Sequence, residues 1–328
     1  MKRSKILIAM IIVAAVMLLG FGCGFSGEAQ SEKLKVVTTL FPQYDFIREI
    51  GKDKVDVVLL LPPGMEAHSF EPSPRDIVRI RKSDVFVYTG EFMEPWAHKV
   101  IKNVKRKNLV VVDAGKGIDL MEEADHHEHE DGKEPAAGKA EAEEHDHHHH
   151  GGKDPHIWLD PVYAQKMVAN IVAGLSKADP KNMSYYRKNG EIYRQKLEAL
   201  HRKFLEAFKH NKSKQIIYGG HFAFGYFAKR YGLEHLSPYN GFAPDAEPTP
   251  QRVAELVKNM KKSGQKVIYY EELIDPKVAK VISAQTGAKM LLLHGAHNVT
   301  KAELKAGISY IRIMEDNLEK LKQGLGRK

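Results

Sequence analysis

Over most of the chain, short apolar runs rich in β-branched residues alternate with stretches whose apolar residues recur three and four positions apart. Residues 35–40, 55–61, 84–89 and 109–113 are runs of the first kind. They read as buried strands, because a strand covered on both faces loses its in–out alternation. Residues 43–50, 74–82 and 95–104 read as helices, and Pro74 and Pro95 suit a first helical turn with their fixed φ. The alternation resumes with strands over 215–219, 233–238, 266–270 and 289–293. Helices over 222–231, 250–262, 276–286 and 304–325 separate and follow them, two ending at Gly232 and Gly287. This order predicts an α/β fold of two lobes, each a roughly four-stranded parallel sheet with flanking helices.

Two regions depart from the pattern. Residues 161–177 read as a helix, and after Asp179-Pro180 a second, much longer one runs to about 210. Its Tyr186, Tyr193, Leu197, Leu200, Phe204 and Phe208 fall at helical spacing and mark a packing face rather than a cofactor box. Thirty helical residues span about 45 Å. A linking helix within 179–212 can therefore bridge an N-terminal lobe (33–178) and a C-terminal lobe (213–328), and such a bridge disfavours wide hinge closure. Residues 125–152 are the opposite case. They are His, Asp, Glu, Lys, Gly and Ala with Pro135, lack apolar periodicity, and read as a disordered insertion in the first lobe.

The N-terminus begins with Lys2, Arg3 and Lys5, and residues 6–21 are then almost unbroken apolar sequence. The run is short for a membrane span and ends at small residues, as a secretory signal does. It stops at Cys23, the single cysteine of the chain, so no intrachain disulfide is possible. The site resembles a bacterial lipoprotein acceptor: Gly22 fits the position before the cysteine, although Gly20 stands where that pattern prefers leucine. The expectation is a signal over 1–23 with lipid on Cys23, a small polar tether over 24–32, and a chain held at the outer face of the cell membrane. The net charge is +8, of which Lys2, Arg3 and Lys5 belong to the signal. The remainder is spread without a dense basic patch, which sets nucleic-acid binding aside.

In open parallel sheets, ligands bind beyond the carboxyl ends of the strands. His68 lies in the loop after the strand 55–61, His221 directly follows 215–219, Glu271 and Glu272 close 266–270, and His294 closes 289–293 with His297 just beyond. A lone loop histidine is usually surface decoration, but strand exits that all end in His or Glu suit a nitrogen-rich site for Zn²⁺ with bonds of about 2.0–2.1 Å. No local motif such as His-Glu-x-x-His is present, so tertiary folding has to assemble the site. Asp154-Pro155-His156-Ile157-Trp158-Leu159-Asp160-Pro161 adds a histidine held between backbone-restricting prolines. Glu66 and Asp154 stand where they could orient imidazole N–H groups, though acids so placed are more often simply solvated.

Three separated segments carry a resemblance. They are residues 63–74 (Pro-Gly-Met-Glu-Ala-His-Ser-Phe-Glu-Pro-Ser-Pro), 154–161, and 220–227 (Gly-His-Phe-Ala-Phe-Gly-Tyr-Phe). In this order they resemble the signatures of the metal-binding solute-binding lipoproteins of ABC importers, and the zinc-type members fit best. The resemblance runs from about residue 33 to the end. It implies two lobes joined by a rigid helix, a metal cleft between them, no catalysis, a monomer, and delivery to a membrane permease. It also implies His68, His156 and His221 as ligands. For the fourth place it leaves Glu271, preferred because a carboxylate offsets the metal charge, His294, or water.

Manganese-type members carry two histidines and two carboxylates, and His221 stands where they have glutamate, which tilts the expectation to zinc. The insertion tilts it the same way. Its His126, His127, His129, His145, His147, His148, His149 and His150 suit additional weak zinc sites. Other readings are a manganese- or iron-binding relative, a surface adhesin, and a secreted zinc hydrolase with Glu271 or Glu272 as general base.

Overall fold

The computed structural model describes residues 33–104, 106–122, 152–239 and 248–326. The expected signal, Cys23, the tether and residues 125–151 of the insertion lie outside the described residues. From Leu34 onward the chain forms one compact unit.

In the first half, β1 (Leu34–Thr38) lies between β2 (Val55–Leu59) and β3 (Val85–Tyr88), with β4 (Val110–Asp113) beyond β3, all parallel. Successive side chains of a strand point to opposite faces. Val36, Val85 and Val87 accordingly join a core on one side, whereas Val37 and Phe86 join another on the other side. The first core contains Phe46, Ile47 and Ile50 from α1 (Phe41–Gly51). The second contains Ile80 from α2 (Pro74–Lys82) and Ala97 and Val100 from α3 (Pro95–Asn103). Being covered on both faces is why these strands read as continuous apolar runs. The order β2-β1-β3-β4 reverses its winding between β1 and β3.

The second half repeats the plan with one difference. β5 (Gln215–Ile217) pairs in parallel with β6 (Glu234–Leu236), and β7 (Val267–Tyr270) with β8 (Lys289–Leu292). A single parallel bridge between Tyr218 and Tyr269 joins the pairs, and the Gly219 amide donates to the Tyr269 carbonyl at 2.7 Å. The expected four-stranded sheet is thus two short parallel pairs meeting at one bridge, with the winding reversed between β5 and β7. Ile217 and Ile268 face Leu256 and Met260 of α7 (Pro250–Ser263) and Ala279 and Ile282 of α8 (Lys277–Thr286).

Between the halves, α4 (Pro161–Ala178) is followed by a 3₁₀ turn and by α5 (Met183–Phe208). At 1.5 Å per residue α5 is about 39 Å long. The apolar stripe expected for it is its buried face. Tyr193 and Tyr310 pack on Phe46 at centroid distances of 5.5 and 5.1 Å, linking α5, α10 (Tyr310–Leu325) and α1. Farther along, Phe204 meets Phe227 of α6 (Gly225–Tyr231) edge-on at 4.8 Å. Tilted and edge-on aromatic pairs of this kind add about 0.5–1.5 kcal/mol each beyond their burial.

Two helices differ most from the sequence expectation. α6 begins at Gly225, not 222, because Phe222 and Phe224 leave helical geometry to pack against Tyr218 at 5.6 and 6.1 Å. The closing helix is split into α9 (Lys301–Lys305) and α10. Gly307 takes φ 72° between them, and Ser309 restarts the helix by accepting from the Arg312 amide.

Candidate metal centre

Four histidines from separate parts of the chain meet: His68, His156, His221 and His297, each offering a ring nitrogen within 4.8 Å of the others. His68 comes from the loop after β2. Glu66 holds that loop by accepting from the His68 and Ser69 amides at 2.8 Å each, so it binds backbone, not an imidazole. From the other half, Asn298 Nδ2 donates to the carbonyls of Pro62 and Met65 at 2.7 and 2.9 Å. His156 sits just before a 3₁₀ turn (Ile157–Leu159), fully buried between the two sheets' loops. His221 leaves β5 just past the Tyr218 bridge, at the point where the second sheet reverses its winding.

His297 arrives by a tight turn. His294 is held by Asn317, which accepts from its amide and donates to its carbonyl, both at 2.8 Å. Ala296 then adopts φ 55°, an uncommon left-handed conformation for a residue with a Cβ, and reverses the chain. Gly295 makes room for the result: a Cβ there would lie 2.5 Å from Cε1 of His297.

The chemistry of the rings follows from what stands behind them. Asp154 Oδ1 lies 2.8 Å from Nδ1 of His156, Glu271 Oε2 lies 2.9 Å from Nδ1 of His221, and Glu272 Oε1 lies 3.0 Å from Nδ1 of His297. A carboxylate on Nδ1 fixes the proton there and turns the Nε2 lone pair toward the centre. The Nε2 atoms of His156 and His68 are 3.1 Å apart, and those of His221 and His156 are 3.4 Å apart. Tetrahedral bonds of about 2.0–2.1 Å to one Zn²⁺ separate the ligand nitrogens by about 3.3–3.4 Å. Nε2 of His297 is buried with no hydrogen-bond partner among the described residues, which is costly unless a ligand satisfies it. The residues fit a four-coordinate cation that prefers nitrogen.

Burial, reinforced by the neighbouring His297 and His221, pushes the His68 imidazole down to about 2. Burial and the same crowding push His156 well below the ordinary range. Both rings are therefore neutral and ready to coordinate. Burial also lowers His297, but the Glu272 hydrogen bond and charge outweigh it and raise this ring on balance. Glu272 itself is pushed up by burial and pulled lower still by His294 and His297, with a net fall. Burial lifts Asp154 to about 7 against the hydrogen bond from the His156 amide.

Of the residues expected from sequence, the structure gathers His68, His156 and His221, and the fourth ring is His297 rather than Glu271 or His294. Glu271 stands one ring away, behind His221. His294 turns its Nδ1 to accept from the Ala296 amide at 2.9 Å. The same nitrogen lies 3.4 Å from Glu272 Oε1, outside the four-ring cluster. The available signal for His297 was its place three residues beyond His294 across a glycine. The left-handed Ala296 that makes the turn has no sequence signature.

Residues 36–324 match the model of the family described as ZnuA, the periplasmic component A of a zinc-uptake complex. The chain belongs to this family. A ZnuA-family relative in Bacillus subtilis (strain 168), the high-affinity zinc uptake system protein ZnuA, is 42% identical over 96% of both chains. The zinc-binding lipoprotein AdcA of Streptococcus pneumoniae serotype 4 is 34% identical over 98% of this chain, which spans 61% of AdcA. Among solved structures, the metal-dependent lipoprotein YcdH of B. subtilis superposes with a TM-score of 0.73 at 40% identity, covering 89% of this chain and 99% of that one. The Zn(II)-bound ZnuA-like domain of S. pneumoniae AdcA gives 0.72 at 33% identity, covering 89% and 99%. The ZnuA-like fold, parallel sheets with flanking helices and a long connecting helix, is the one described above.

Proposed function

We propose that this protein is the extracytoplasmic binding component of an ABC importer for zinc. It captures one Zn²⁺ on Nε2 of His68, His156, His221 and His297 and passes it to a membrane permease. The convergence of those nitrogens, with Nε2 of His156 3.1 Å from that of His68 and 3.4 Å from that of His221, carries the reading. Lipid on Cys23 keeps the protein at the outer face of the membrane, and the histidine-rich insertion adds weak sites that raise the local zinc concentration. The acids act through the rings: they hold Nδ1 protonated and supply negative charge near the cation. The Mn²⁺ alternative is disfavoured because, among the described residues, the inner set is four imidazoles, and Mn²⁺ favours oxygen. A hydrolase needs an open coordination position for water, and four imidazoles fill a tetrahedral zinc.

Zinc titration of the mature protein against a chelator, with Mn²⁺ as competitor, tests the reading. One tight equivalent that survives excess Mn²⁺ and is lost in His68→Ala, His156→Ala and His221→Ala is expected. Tight binding that persists in any one of these variants removes that residue from the ligand set. Preference for Mn²⁺ overturns the proposal.

A further inference from the structure

The described residues flanking the insertion are Glu122 and Gly152, and this stem stands only a few residues from His156. Glu122 and Lys153 pair as an antiparallel bridge, and the Asp154 amide donates to the Met121 carbonyl at 2.9 Å. Into this stem reaches Tyr226, a buried residue of α6 in the other half of the chain. Its hydroxyl accepts from the Met121 amide at 2.9 Å and donates to the Asp154 carbonyl at 2.7 Å. One oxygen therefore ties both strands of the stem together. One turn later on the same helix, Arg230 binds Asp160 Oδ2 at 2.7 and 2.8 Å. The segment carrying His156 is gripped at both ends by α6.

The grip bears on Asp154. Its Oδ1 accepts from both the amide and Nδ1 of His156, at 2.9 and 2.8 Å, and its Oδ2 is buried without a hydrogen-bond partner among the described residues. The neighbouring Gly225 leaves no slack: a Cβ there would lie 2.7 Å from Asp154 Oδ2 and 2.9 Å from Cε of Met121. A carboxylate held this way keeps its place because its backbone is pinned, and that pin is the Tyr226 hydroxyl.

We propose that Tyr226 is a positioning residue for the cargo site, closing the stem of the insertion so that Asp154 stays aligned on His156. The proposal rests on the zinc-binding reading above. Tyr226→Phe keeps the ring, including its packing on Tyr163 at 5.5 Å, and removes both hydrogen bonds.

The test uses the full chain and follows zinc release to excess chelator by stopped flow. Partners that orient metal-bound histidines typically matter by 10- to 100-fold, so Tyr226→Phe should release zinc about ten-fold faster than wild type. Gly225→Ala, which crowds Asp154, should shift release in the same direction. In an Asp154→Asn background the Tyr226 change should add less than two-fold, because residues acting through one another are not additive. The melting temperature of the metal-free protein should fall less than that of the zinc-loaded protein. Unchanged release in Tyr226→Phe, full multiplication of the two effects, or equal loss of melting temperature in free and loaded forms would each overturn the proposal. Wild type that fails to hold zinc at all would instead overturn the zinc-binding reading.

Discussion

Replacing His297 by asparagine separates the two jobs of that ring. The asparagine Nδ2 can occupy roughly the place of the imidazole Nδ1 and keep donating to Glu272, whose carboxylate also accepts from the Gly295 amide at 2.7 Å. What disappears is Nε2, the buried atom without a partner. Leaving Glu272 paired matters, since a buried charge stripped of its partner costs about 3–5 kcal/mol and would confuse a binding defect with a folding one. Four-ligand zinc sites contribute about 10–16 kcal/mol in apparent binding free energy. An equal quarter of that is about 2.5–4 kcal/mol, or about a hundred- to a thousand-fold in dissociation constant, toward the lower end if water takes the vacated position. Zinc affinity is read by competition with a chromophoric chelator at neutral pH, with His294→Asn alongside. His294 uses Nδ1 as an acceptor from the Ala296 amide, a role asparagine Oδ1 can fill, so that variant should bind within a few-fold of wild type. His297→Asn binding as tightly as wild type, or His294→Asn losing as much, would refute the assignment of the fourth nitrogen.

Further outcomes follow from the same geometry. Glu271→Gln, which can still accept from Nδ1 of His221 but carries no charge, should weaken zinc binding about 10- to 100-fold in the same assay, less than loss of a ligand. Gly295→Ala should also weaken binding, by driving a Cβ into the His297 ring, and isothermal titration should show it while circular dichroism stays native. His297→Glu, which introduces oxygen into the set, should lower the ratio of Mn²⁺ to Zn²⁺ dissociation constants; an unchanged ratio would count against nitrogen selectivity. Away from the site, burial raises Glu94 to about 7 despite hydrogen bonds from Thr39, Thr89 and Gly90. The folded state then keeps a proton that the unfolded chain gives up between about pH 4.5 and 7, so this group's contribution to stability falls as pH rises through that window. Glu94→Gln should remove that loss. Relative to wild type, urea unfolding of the metal-free variant should therefore show greater stability at pH 8 than at pH 4.5, by about 3 kcal/mol.

The parts of the fold that were legible in the sequence are those decided locally. Val36-Val37 and Val85-Phe86-Val87 face two different cores, so their unbroken apolar character follows from coverage on both sides. Ser73 and Asp76 form a capping box at the start of α2, and Pro74 marks the same boundary. Where tertiary contacts decide, the reading slips. Phe222 and Phe224 have helical spacing to later residues, yet their packing on Tyr218 delays α6 to Gly225. The second sheet narrows to one bridge at Tyr218 and Tyr269, a matter of strand register that hydropathy does not encode. In the metal centre, His68 and His156 are 88 positions apart and His156 and His221 are 65 apart, so no spacing rule links them, and the motif resemblance supplied their grouping. His297 lies just beyond the strand exit at His294, and nothing in Gly295-Ala296 announces the positive φ of Ala296 that brings it inward.

Glu271 offsets metal charge without being a ligand in the proposed site. A divalent cation on four neutral imidazoles receives no charge from its ligands, and burying it uncompensated would be costly. Asp154, Glu271 and Glu272 answer this from one ring away, each on the Nδ1 of a different histidine. Distance softens their attraction, but among largely buried groups it remains substantial, and each acid also fixes a tautomer and a ring angle. The arrangement divides two demands that a ligating carboxylate would merge. Among the described residues the proposed inner atoms are all nitrogen, which favours nitrogen-preferring metals, and the oxygens behind them balance the charge without entering that choice. Such a division also explains the different environments of the acids. Burial pushes Glu272 up, but His294 and the His297 hydrogen bond pull it down on balance, whereas burial leaves Asp154 near 7 beside neutral His156. A cation among the rings adds attraction for all three acids. The outer acids are therefore poised for the loaded state, and the cost of holding them buried falls when zinc binds.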